Sequence, residues 1–170
     1  VTSSEHASGQ SKAQTEGLTS RIYLVSQSYS GSMALKTGVA VEEYLRTTFE
    51  GPDREYLDGA VVERNMSDGP HSGAQTRLIE IFYEIRKRCP LFARAELRFR
   101  RTASRFLIPD VAVFRDQVPA ERIPAEPPFA AIEILSADDR YGEVMAKLAE
   151  YSQWGVAHVW LVDPNRGKLY

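Results

Sequence analysis

Two apolar runs, Phe106–Phe114 and Ala130–Leu135, each carry a single carboxylate, Asp110 in the first and Glu133 in the second. Both runs read as strands, and a carboxylate in a buried strand is costly unless it is paired or bound to a metal. The fold must therefore give these two acids partners. For either acid alone, an outward position at a strand end is the simpler reading. Two of them on consecutive strands, with no basic residue beside either, point instead to convergence. On neighbouring strands both carboxylates can face one hard cation with oxygen ligands, and magnesium is the best match.

The periodicity around these runs supplies the frame. Val41, Tyr44, Leu45 and Thr48 share one face of a short helix. Glu55 to Val62 reads as a hairpin that turns at Asp58-Gly59. From His71 to about Arg88, Ala74, Leu78, Ile81, Phe82 and Ile85 recur at helical spacing, and Pro90 ends that helix. Leu97 and Phe99 alternate with Glu96, Arg98 and Arg100, as in a strand with one wet face. Phe106–Phe114 is then a second strand and Ala130–Leu135 a third. Ser136, Asp138 and Asp139 offer caps for a helix to about Trp154. Gly155 stops it, and His158 to Val162 is a last strand ending at Asp163-Pro164. The order predicts an α/β fold: an αβββαβ core with a mixed sheet, preceded by a short helix and a β-hairpin. Phe82, Trp154 and Trp160 fall at core positions.

Composition removes several alternatives. With 170 residues, 43% of them hydrophobic, the chain suits one globular domain and is not disordered throughout. The one cysteine, Cys89, excludes an internal disulfide and a zinc site of paired thiolates. No apolar run approaches the ~20 residues that span a bilayer, so no membrane segment is expected. Ile22 to Val25 is too short for a secretory signal, and a cytoplasmic location is expected. Residues 1–38 read as a disordered leader with Met33 as the natural start, and 39–170 as the domain. The ending Lys168-Leu169-Tyr170 reads as a strand cut as it begins.

Charge is unevenly spread. The chain carries a net −2, yet Arg77 to Arg105 holds nine cations against three acids. Arginines there, including Arg98, Arg100, Arg101 and Arg105, suit sequence-independent contacts to DNA phosphates. A solvated helix end and strand face explains the same pattern, and no helix-turn-helix, zinc finger or RNA-recognition signature accompanies it.

Pro109-Asp110 followed by Glu133 on the next strand, within this element order, resembles the PD-(D/E)XK restriction-endonuclease-like superfamily. The finer resemblance is to the Uma-two family of endonucleases. It rests on Val41-Glu42-Glu43-Tyr44-Leu45, Tyr56-Leu57-Asp58-Gly59, His71, Ile108-Pro109-Asp110-Val111, Ile132-Glu133-Ile134-Leu135-Ser136 and Asp139-Arg140. It continues through Lys147-Leu148-Ala149-Glu150-Tyr151, Gly155-Val156 and Trp160-Leu161-Val162-Asp163-Pro164, covering about residues 39–170. The resemblance implies a metal-dependent DNA endonuclease with Mg2+, or Mn2+, as cofactor, and a homodimer. Asp110, Glu133 and the Ile134 carbonyl would then hold the metal, with Asp110, Glu133 and Lys147 as the catalytic set.

One departure matters. The superfamily's usual lysine, two residues after the glutamate, is here Leu135. The resemblance allows a cation from the following helix, and Lys147 is the matching residue; on spacing alone, a solvated helix lysine fits equally well. Arg140 is expected to be occupied by Asp138 and Asp139. Glu55, where the family carries a glutamate, and His71, at a helix N-terminus, are second-rank candidates; an exposed strand acid and a packing or capping histidine are their alternatives. Loss of the strand lysine also leaves a second function open: an inactive relative serving as a DNA-binding or protein-interaction module.

Overall fold

The computed structural model describes residues 34–170. The expected leader up to Met33 lies outside the described residues. In chain order the elements are β1 (Ala34–Lys36), α1 (Val41–Arg46), β2 (Glu55–Leu57), β3 (Ala60–Val62), α2 (Gly69–Ile85), β4 (Leu91–Ala95), β5 (Phe99–Thr102), β6 (Arg105–Leu107), β7 (Val111–Arg115), β8 (Ala130–Ile134), α3 (Tyr141–Trp154), β9 (His158–Asp163) and β10 (Lys168–Leu169). They build two five-stranded sheets, one ordered β10-β9-β8-β7-β4 and the other β1-β3-β2-β6-β5. The first is mixed: β8 and β9 run parallel, and its other pairs are antiparallel. A parallel pair needs a crossover, and α3 supplies it.

Both faces of the central strands are buried, β7 as far as Phe114 and β8 throughout, and the packing partners alternate with a period of two. Val111 and Val113 of β7 and Ala130 and Ile132 of β8 pack with Phe82 of α2. Ala131 turns the other way and packs with Tyr151 of α3. Glu133 alternates in step with Ala131, so the fold itself delivers this carboxylate to α3.

The Asp58-Gly59 turn forms as expected, with φ of 50° and 92° at the two residues, and Gly155 ends α3 at φ 99°. Other expectations need correction. Phe106–Phe114 is not one strand. Its first part, β6, belongs to the second sheet, and β7 belongs to the mixed sheet. Ile108-Pro109-Asp110 makes the passage, where Pro109 has no N–H for a ladder. The mixed sheet's first strand is β4, not the Leu97–Phe99 alternation. Glu96 lies at φ 50°, which ends strand geometry there, and β5 then joins the second sheet. Helix α2 stops at Ile85, ahead of Pro90. Strand β1 precedes Val39 and pairs with β3.

The expected caps of α3 also differ. Its N-cap is Arg140, with no side-chain cap bond. Asp139 instead accepts the Ser136 N–H at 2.7 Å and the Asn65 amide at 2.7 Å. Among the described residues, no ion pair joins Arg140 to Asp138 or Asp139.

Candidate active site

Asp110 stands at the entry to β7, where the chain leaves one sheet for the other, and is 4% exposed. Its Oδ2 accepts the Ile134 N–H from β8 at 2.8 Å and faces His71 Nε2 at 3.2 Å. Its Oδ1 meets Arg64 Nη2 at 2.5 Å. Gln75 donates to its backbone carbonyl at 3.0 Å. His71 is carried in by the first turn of α2, which Asp68 caps by accepting the His71 N–H at 2.8 Å.

Glu133 reaches the same centre from β8. Tyr151 of α3 donates its hydroxyl to Oε1 at 2.8 Å, and Lys147 lies 3.1 Å from both oxygens. Lys147 and Tyr151 are one helical turn apart, so a single face of α3 presents both groups to one carboxylate. The ammonium also contacts Glu55 Oε1 at 2.9 Å and the Ile108 carbonyl at 3.1 Å. Glu55 in turn accepts the Ile108 N–H at 2.8 Å. Glu55, His71, Asp110, Glu133, Lys147 and Arg64 all line one cleft of about 810 Å³.

The structure gives the surroundings of the three side chains whose placement the sequence left open. Lys147 is not a solvated helix lysine: its side chain is 19% exposed and it spans two carboxylates. Glu55 is not an exposed strand acid, since it is buried in the same cluster. His71 is buried against Asp110 rather than capping with its ring.

The electrostatics follow from three carboxylates and three cationic side chains in one buried place. Burial pushes the Glu133 carboxyl up to about 8, and the charges of Asp110 and Glu55 push the same way against Lys147. Burial works against the Lys147 ammonium, but Glu133 and Glu55 outweigh it and hold its value above that of an ordinary lysine. Burial likewise opposes a charged His71, yet its bond to Asp110 raises it. Asp110 is also opposed by burial, but His71, Lys147 and Arg64 keep it below the usual carboxylate range. The lysine keeps its proton while Glu133 retains an appetite for further positive charge.

The donor set fits a hard divalent cation in kind: carboxylate oxygens, with Glu133 incompletely balanced. It is not a ready-made cage. Among the described residues no group of three or more His, Cys, Asp or Glu is arranged to hold a metal.

Arg98 pairs with Asp53 and lies over the Tyr44 ring. Arg101 pairs with Glu150, and Arg105 bridges Glu150 at 2.6 Å and Asp58 at 2.5 Å. Arg100 is exposed. Three of the four named arginines are thus engaged inside the protein.

Sequence reading missed Arg64 and the role of Tyr151. Arg64 lies in a polar stretch, Glu63 to Asp68, that has no periodicity to orient it. Tyr151 sits on the apolar stripe of α3, where its ring reads as core and its hydroxyl gives no separate signal.

The chain is similar to known proteins. The Uma2 family model, described as "Putative restriction endonuclease", matches residues 41–170. A crystal structure of a "putative nuclease belonging to DUF820" from Anabaena variabilis is 27% identical, with a TM-score of 0.66 over 75% of each chain. No curated protein matches the chain.

Proposed function

The chain belongs to the Uma2 family of restriction-endonuclease-like nucleases, and we propose that it is a metal-dependent endonuclease hydrolysing phosphodiester bonds in DNA. The observation that carries this reading is the meeting of Lys147 with Glu133 and Glu55, which line one cleft together with Asp110. In this reading Asp110, Glu133 and the Ile134 carbonyl hold Mg2+ or Mn2+. When bound, the metal polarises the scissile phosphate and lowers the pKa of an attacking water.

The protein's own groups do the rest. Lys147, protonated, offers positive charge where negative charge grows on the phosphoryl oxygens, and so replaces the strand lysine that Leu135 cannot supply. Tyr151 and Glu55 fix that ammonium and the Glu133 carboxylate in place. His71 and the Ile134 N–H orient Asp110. Exposed cations of the basic segment, Arg100 and Arg94 among them, contribute phosphate contacts, while Arg98, Arg101 and Arg105 brace the fold. A homodimer would present two such clefts to the two strands of a duplex.

The second reading, an inactive binding module, is favoured by the side-chain nitrogens that occupy the Asp110 and Glu133 oxygens. Supercoiled plasmid incubated with Mg2+ or Mn2+ separates the two. Conversion to nicked or linear forms, lost in Asp110→Ala, supports the nuclease. Intact DNA across metals and substrates, with binding retained, supports the module.

Among the described residues no helix is long and apolar enough to cross a membrane.

A further inference from the structure

We infer that Arg64 is an internal competitor for the metal: its guanidinium holds the cation position at Asp110, and must leave before a divalent ion can bind there. The inference rests on the metal-dependent reading above and deepens it. Three groups contact the Asp110 carboxylate, and they are not equivalent. The Ile134 N–H belongs to the backbone of β8, and His71 is buried on α2. Both converge on Oδ2. Arg64 alone holds Oδ1, at 2.5 Å, and it does so from the irregular stretch between β3 and α2.

The guanidinium has one hydrogen bond to a carboxylate, at Asp110, and one longer ion pair, to Glu96. Arg64 Nη1 is buried and makes no hydrogen bond. It lies 3.5 Å from Glu96, whose side chain is 40% exposed. A bidentate arginine–carboxylate pair is the strong form of this interaction, and the one here is not of that form. Arg64 also lines the open cleft, so the side chain has a way out, and Glu96 is an anchor already within reach of it.

Lys147 cannot play this part, because its ammonium is committed to Glu55, Glu133 and the Ile108 carbonyl. A guanidinium and a divalent cation on one carboxylate oxygen repel each other, and each weakens the hold of the other. Without either, Asp110 would stand as a buried charge served only by an amide and a histidine. The arginine thus keeps the metal-free site folded and sets how much metal is needed to fill it.

Isothermal titration with Mn2+, and separately with Mg2+, on wild type and Arg64→Gln tests this. Arg64→Gln should bind at least ~10-fold more tightly, since a competing positive charge is gone. Its metal-free melting temperature should fall and recover on adding Mn2+, by a larger rise than in wild type. Asp110→Asn should abolish binding in both backgrounds. Equal affinity in wild type and Arg64→Gln overturns the inference and leaves the nuclease reading standing. No binding by either protein overturns both. Should Arg64→Gln fail to fold, the wild type still decides: the Arg64 side-chain NMR signals should shift with added Mg2+ at the midpoint of binding. Signals that stay fixed at saturating Mg2+ overturn the inference.

Discussion

The charges around Asp110 and the charges around Glu150 are built on different principles. In the first group Glu55, Asp110 and Glu133 share Arg64, His71 and Lys147, with side chains 5–19% exposed and Lys147 and Asp110 each serving more than one partner. In the second, Arg101 and Arg105 meet Glu150 at a part-exposed rim, with side chains 14–25% exposed, and Asp58 there is 58% exposed. Water can replace a partner at the rim. It cannot easily do so in the centre, where loss of one ion leaves another buried and unpaired. A shared, buried network is therefore fragile to single changes, and that is the condition in which an added cation or phosphate has most to gain.

Removing one ion from each group should show the difference. Lys147→Met is expected to cost about 3–5 kcal/mol of stability, because Glu133 and Glu55 lose their common cation. Glu150→Gln should cost about 1–3 kcal/mol, the scale of hydrogen bonds to charged groups. Urea unfolding measures both. Equal costs would erase the distinction between centre and rim.

The pH profile sharpens it further. Glu133 ionises near 8 in the folded protein and near its ordinary 4.5 when unfolded. Between those values the unfolded chain has released the proton that the folded one still holds, so stability falls as pH rises through that window. His71, raised above 6.5, contributes in the same sense: its stabilisation is present below 6.5 and lost as pH rises through its folded value. Asp110, lowered from 3.8, acts oppositely, stabilising above 3.8 and failing only as pH falls through its folded value. Metal-free protein should therefore be more stable at pH 5 than at pH 8. Glu133→Gln should flatten that slope, whereas Glu150→Gln should leave it unchanged.

What the sequence disclosed and what it hid have separate physical causes. Period-two and helical patterns are set by burial, so α2, α3, β8 and β9 were readable, as was the Asp58-Gly59 turn. The passage at Ile108-Pro109-Asp110 was not, because apolar residues continue across it while the chain changes sheets. Asp110 and Glu133 were visible as charges out of place in apolar runs. Their partners were not, since Arg64 sits 46 positions before Asp110 in a stretch with no pattern. Charge density along Arg77–Arg105 likewise says nothing of Asp53 or Glu150, which neutralise part of it from distant positions.

The smallest effects belong to the exposed part of that segment. Arg100→Ala should change stability by less than about 0.5 kcal/mol and lower the salt slope of DNA binding by about 1. Arg98→Ala should instead lose stability, through its Asp53 pair and its packing over Tyr44. Fluorescence anisotropy across a salt series, beside thermal melts, distinguishes the two.

The central claim is that the buried lysine supplies the cation the strand lacks. Plasmid cleavage by Lys147→Met in saturating Mg2+, with native circular dichroism confirmed on the same sample, tests it most directly. Wild type should convert supercoiled DNA while folded Lys147→Met does not, a loss of about 3 kcal/mol or more of transition-state stabilisation. Folded Lys147→Met cutting at the wild-type rate would contradict the account.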